Sequence, residues 1–146
     1  MNYVRFKLHL RPNTALTREI TRKLPPLPPK MHAVDILADF LRYMYACART
    51  YIEESHANGT DLWTSVEGEI QFILTHPNGW EGFQQAQIRE ACIKADLIPD
   101  TTAGRSRIAF VTEGEASLHF AIKHRLPDQA TKVSFSDILL AQLIYK

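Results

Sequence analysis

A chain of 146 residues, 45% of them hydrophobic, can bury one modest core, and 17 basic against 16 acidic residues leave a net charge of only +1. That balance gives no electrostatic footprint for nucleic acid, and the basic residues gather on no one predicted face. No apolar run approaches a membrane span, and Met1 to Leu10 alternates charge with hydrophobe instead of forming a secretory leader; a cytoplasmic chain with neither nucleic-acid nor membrane partners is expected.

In chain order, Phe6-Lys7-Leu8-His9-Leu10 alternates with period two and predicts a strand, so residues 1–24 read as an N-terminal strand segment. Pro25-Pro26-Leu27-Pro28-Pro29 follows. It is incompatible with helix or central strand, and residues 25–30 read as a polyproline spacer before they read as an SH3-type ligand. Residues 31–126 then carry the periodic elements. Val34, Leu37, Leu41, Met44, Tyr45, Ala48 and Ile52 hold helical spacing for about five turns, and Asn58-Gly59 offers a left-handed cap near the helix end. Phe40, Tyr43, Tyr45 and Tyr51 on that helix are expected in core or lobe-interface packing before a ligand pocket.

Ile70, Phe72, Ile73 and Leu74 predict a strand from Ile70 to Thr75, buried on both faces and stopped by His76-Pro77-Asn78-Gly79. Trp63 and Trp80 flank it and should cover its ends. Ile88, Ala91, Cys92 and Ala95 then mark one face of a helix, with Gln84, Gln85, Gln87, Arg89 and Lys94 elsewhere on the wheel. Ile108 to Thr112 is the next strand. A helix of about a dozen residues between two strands predicts parallel neighbours joined by a right-handed crossover, which makes the fold class α/β. Seven of the eight residues from Ile138 to Tyr145 are apolar, and residues 127–146 read as a divergent tail that forms a short helix or stays poorly ordered and promotes self-association.

Cys47 and Cys92 lie on predicted helices with no CxxC partner and read as small buried hydrophobes. The six histidines show no i, i+4 pair and no HExxH arrangement, so no metal site is expected.

The segment from Ile70 to Ile122 resembles the seventy-kilodalton heat-shock chaperone family, in particular its divergent fungal and animal members. The likeness rests on a strand ending at Pro77, a gapless run from Pro77 to Leu97 with Glu90-Ala91 near the middle of its helix, and TEGEAS at Thr112 to Ser117 after the second strand. FKLHLRP at Phe6 to Pro12 and VDILADFLRYMYACARTYIEE at Val34 to Glu54 extend it over most of the chain up to about Leu126. The resemblance implies an actin-like (ribonuclease H-like) ATPase fold, here incomplete, and a parent that binds ATP with magnesium and hydrolyses it.

By the same resemblance Glu113 matches a glutamate that helps hold magnesium-bound water, Lys7 a lysine facing the transferred phosphate, and Pro77 a proline coupling nucleotide state to a second domain. The departures are equally specific. Gln85 stands where the family has an arginine, and the sequence contains no glycine-threonine phosphate loop, no DxGGGT hairpin and no adenosine-binding glycine pair. The expectation is therefore a fragment of a heat-shock-70-kDa-like ATP-binding domain that binds no nucleotide or other cofactor alone. The alternatives are a non-enzymatic protein-interaction domain using PPLPP or an exposed apolar edge, and a small unrelated α/β domain. For Glu113 and Glu115 there is also a purely structural account: carboxylates favour the start of a helix.

Overall fold

A computed structural model of the chain describes residues 6–12 and 14–125. The fold is mixed α/β and mostly helical, with one sheet of two parallel strands. The described residues form two units, 6–72 with 80–109 and 73–79 with 110–125, and each unit takes one end of both strands.

The first unit is built on two helices. Helix α2 (Ala33–Ser55) and helix α4 (Phe83–Lys94) make its most extensive contact, burying Ala33, Ile36 and Ala38 on one and Ile88, Ala91 and Cys92 on the other. Small side chains at Ala38, Ala91 and Cys92 let two backbones come close, and Ala95, Leu97 and Ile98 extend the core past the end of α4. The expected α4 face of Ile88, Ala91, Cys92 and Ala95 is buried throughout; Gln84, expected outside, is buried with it. Two polar clasps close the pair. Lys94 Nζ donates to Asp35 Oδ1 at 2.7 Å, and Arg42, itself 2.8 Å from Asp39, donates to the Lys94 carbonyl.

Helix α3 (Gly59–Val66) starts directly on α2. A Cβ at Gly59 would lie 2.5 Å from Glu53 Cα and 2.6 Å from Glu53 O, so only glycine permits this approach. Among the described residues positive φ occurs at Lys30, Gly79, Gly82 and Asp96, so the left-handed cap expected at Asn58-Gly59 is not formed; α2 instead leaves through His56 in extended conformation. The turn after α2 is still there, and its asparagine precedes a further helix.

The N-terminal expectation changes more. Phe6–Leu10 is a 3-10 helix and Ala15–Arg22 is helix α1, not a strand segment. A lone strand leaves its N–H and C=O groups unpaired, and the only sheet among the described residues is β1 with β2; a 3-10 turn satisfies them locally while burying Leu10. Residues 25–28 carry no regular structure and residues 29–30 form a turn, and His9 Nε2 lies 3.1 Å from the Pro25 carbonyl. The expectation for residues 127–146 lies outside the described residues.

Strands β1 (Phe72–His76) and β2 (Ile108–Thr112) are parallel, as the intervening helix requires. The Phe72 N–H donates to the Arg107 carbonyl at 2.8 Å, which sets Phe72 beside Ile108. Burial along β1 alternates, with Ile73 67% exposed, so the expected burial of both faces is corrected: with one neighbouring strand and a short helix α5 (Thr102–Ser106) before β2, only one face is covered. Arg107 fixes the approach to both strands. Its Nε donates to Ile70 O at 2.8 Å and its NH2 nitrogen to Glu67 O at 2.9 Å, while the guanidinium lies 5.7 Å from the Phe72 ring centroid.

Two outcomes follow from these contacts. Arg107→Ala should lower the unfolding free energy by roughly 2–3 kcal/mol in urea titration, because two partly buried carbonyls lose a charged donor; Arg107→Lys should recover less than half, since an ammonium cannot span both. The Asp35–Lys94 pair should give a stability plateau. Its Lys94 hydrogen bond, followed by the His32 N–H, holds the Asp35 carboxyl below its ordinary 3.8, and Asp35 raises Lys94 above 10.5. The carboxylate contribution is present above the unfolded value and lost as pH falls through the folded one; the ammonium contribution is lost as pH rises through its folded value. Asp35→Asn should remove this pair's share of both limbs in pH-dependent melting.

Candidate functional site

Parallel strands place ligand groups beyond their carboxyl ends. Here those ends belong to the second unit. Strand β1 finishes at His76, which is 3% exposed and whose ring sits edge-on to Phe110 with centroids 5.8 Å apart and has Nδ1 2.9 Å from the Pro77 carbonyl. Pro77, without an N–H, ends the strand, and Gly79 at φ +77 turns the chain away.

Strand β2 runs without a loop into helix α6 (Glu113–Arg125). The junction is held by a reciprocal cap. The Thr112 N–H donates to Glu115 Oε2 at 2.7 Å and the Glu115 N–H donates to Thr112 Oγ1 at 3.1 Å, the S/T-x-x-E capping box. The Thr112 backbone N–H first, and then its hydroxyl, hold the Glu115 carboxyl below the ordinary carboxylate range, with His119 and His76 adding weaker attraction. The capping box is legible in TEGE. The preference of carboxylates for a helix start places both glutamates there without separating them.

The separation matters for chemistry. Glu115 is engaged by the cap, whereas Glu113 opens the first turn with an exposed side chain and places its charge at the positive end of the helix dipole. Glu113 and Pro77 thus stand at the carboxyl ends of β2 and β1 within the same unit. Lys7 belongs to the other unit, where Nζ lies 5.9 Å from the Trp80 ring centroid, a cation–π geometry. Trp80 and Trp63 are both buried, as expected of rings near the ends of β1.

Among the described residues no group of three or more His, Cys, Asp or Glu could hold a metal ion. Glu115 is held by the cap, and the described residues include no glycine-rich hairpin whose N–H groups could cradle phosphates.

The first unit contains an apolar cleft of about 340 Å³ lined by Tyr45, Ile52, Leu62, Trp63, Val66 and Phe72, among others. Tyr45 packs at 5.2 Å against Trp63 and 5.9 Å against Phe72, and its hydroxyl donates to Glu67 Oε1 at 3.2 Å. Burial and the Glu67 carboxylate together raise the Tyr45 phenol above its ordinary 10.0. Of the four aromatics on α2 only Tyr45 turns inward; Phe40, Tyr43 and Tyr51 are at least half exposed, which leaves core packing to Tyr45 alone. Cys47 is exposed too, while Cys92 is fully buried and its thiol is pushed up to about 11 by desolvation.

No family model matches the chain, and no curated protein or solved structure matches it either. No described helix is long and apolar enough to cross a membrane.

Thr112→Ala should cost about 1 kcal/mol and speed amide exchange in the first turn of α6, the usual effect of losing an N-cap hydroxyl. Glu115→Gln should move the same amides. Glu113→Gln should leave them nearly unchanged, and equal effects of the two glutamine variants would show that the cap does not distinguish them.

Proposed function

We propose that the chain is a piece of a heat-shock-70-kDa-like ATP-binding domain of actin-like fold, cytoplasmic, and unable to bind nucleotide by itself. The observation that carries this reading is the order β1, α4, β2, α6 with parallel strands, β1 stopping at Pro77 and Glu113 standing at the carboxyl end of β2. A crossover of this length is right-handed in nearly all parallel sheets, and that hand is part of the proposal. Any role of Glu113 toward magnesium-bound water, or of Lys7 toward phosphate, belongs to the parent domain that would supply ATP and magnesium. Gln85, whose Nε2 lies 3.4 Å from the Trp80 carbonyl, cannot supply the charge that the family pairs with its coupling proline, which argues against signalling through Pro77.

A second reading, a non-enzymatic interaction domain, draws support from the exposed aromatic residues of α2. The two separate experimentally. Calorimetry of the chain with magnesium-ATP should give no saturable heat at micromolar to millimolar concentration. Grafting residues 70–122 into the matching crossover of a seventy-kilodalton heat-shock ATPase domain should preserve folding and ATP binding, and Glu113→Ala in the graft should slow hydrolysis more than it weakens binding. A stoichiometric ATP site in the chain alone, or a graft that unfolds its host, contradicts the proposal.

A further inference from the structure

Helix α2 carries an exposed stripe that the described residues of its own unit leave uncovered. Phe40 is 50% exposed, Tyr43 65%, Met44 49% and Tyr51 70%, and Cys47 between them is exposed as well. Phe40, Met44, Cys47 and Tyr51 succeed one another by four, three and four residues, the spacing of a coiled-coil seam. No charge interrupts the stripe. The arginines of this stretch lie on other faces and are paired within the helix, Arg42 with Asp39 at 2.8 Å and Arg49 with Glu53 at 2.9 Å.

The spacing reads the same in both directions. A two-fold axis across the helix between Tyr45 and Ala46 therefore sets Phe40 of one copy opposite Tyr51 of the next and Met44 opposite Cys47, the layer pairing of antiparallel coiled coils. A surface that is its own complement under a two-fold is an isologous interface. Complete burial of Phe40, Met44, Cys47 and Tyr51 together with the flanking Tyr43 would remove at most roughly 500 Å² per copy, about 1,000 Å² in total, which reaches the threshold for a specific interface. The seam stops where the next layer would set Leu37 against the charge of Glu54.

We infer that α2 is a self-association surface and that its occupant is the α2 of a second copy of this chain, antiparallel, with Phe40 against Tyr51 and Met44 against Cys47. The pairing does not rest on the ATP-binding-domain reading, and a monomeric chain would leave that reading untouched.

Sedimentation velocity and disulfide trapping test it. The chain should sediment as two copies at high micromolar concentration, and Met44→Glu should give a single copy with an unchanged far-ultraviolet helix signal. In a Cys47→Ser background, mixing Phe40→Cys with Tyr51→Cys should trap a mixed disulfide dimer on mild oxidation, whereas either variant alone should trap at least tenfold less. A monomer at every concentration, a dimer that survives Met44→Glu, or self-trapping of Phe40→Cys with itself, as a parallel pair requires, each overturns the inference. If Met44→Glu unfolds the chain, the mixed trapping experiment still decides between the outcomes.

Discussion

The packing of α4 on α2 is the contact on which the rest of the fold depends. Two five-residue strands with one exposed face cannot stabilise themselves, and a parallel pair needs its connecting segment held in place. Docking α4 through Ile88, Ala91 and Cys92, with Lys94 tied to Asp35, fixes the middle of the connection. Arg107 fixes its end by binding the carbonyls of Glu67 and Ile70, just before β1 begins. Together these leave the Phe72 N–H facing the Arg107 carbonyl, the first bond of the parallel ladder.

What could be read from the sequence, and what could not, follows from the range of each interaction. Helices α2 and α4 and the strands β1 and β2 announce themselves through periodicity sustained over many residues or through compact β-forming runs with clear stops. Phe6 to Leu10 did not, because a five-residue alternation is shorter than any test that separates period two from a 3-10 turn, and the missing strand partner is a tertiary fact. Helix α3 was missed because Asn58-Gly59 reads locally as punctuation; the close approach of Gly59 to Glu53 that makes it a helix start is invisible in one dimension. Arg107 carries no local signal of its role, because its two carbonyl partners lie thirty-seven and forty residues away.

The candidate site shows the same division. Glu113 and Pro77 could be placed at strand ends from the order of elements alone, and both stand there. The distinct environments of Glu113 and Glu115 depend on a hydrogen bond that TEGE signals only when read as a capping box. Lys7 was assigned to an alternating strand; the 3-10 turn instead sets it over Trp80 within the first unit. The stripe on α2 was open in the sequence for a different reason: helical spacing predicts that a face packs without saying whether the chain's own core covers it.

Every functional reading of Glu113 and Pro77 requires β1 and β2 to run in the same direction. Interstrand nuclear Overhauser effects measure this directly in solution. The structure predicts contacts between the backbones of Phe72 and Ile108 at one end and of His76 and Thr112 at the other. Contacts pairing Phe72 with Thr112 would mean an antiparallel hairpin, would put Glu113 and Pro77 at opposite ends of the sheet, and would contradict the account.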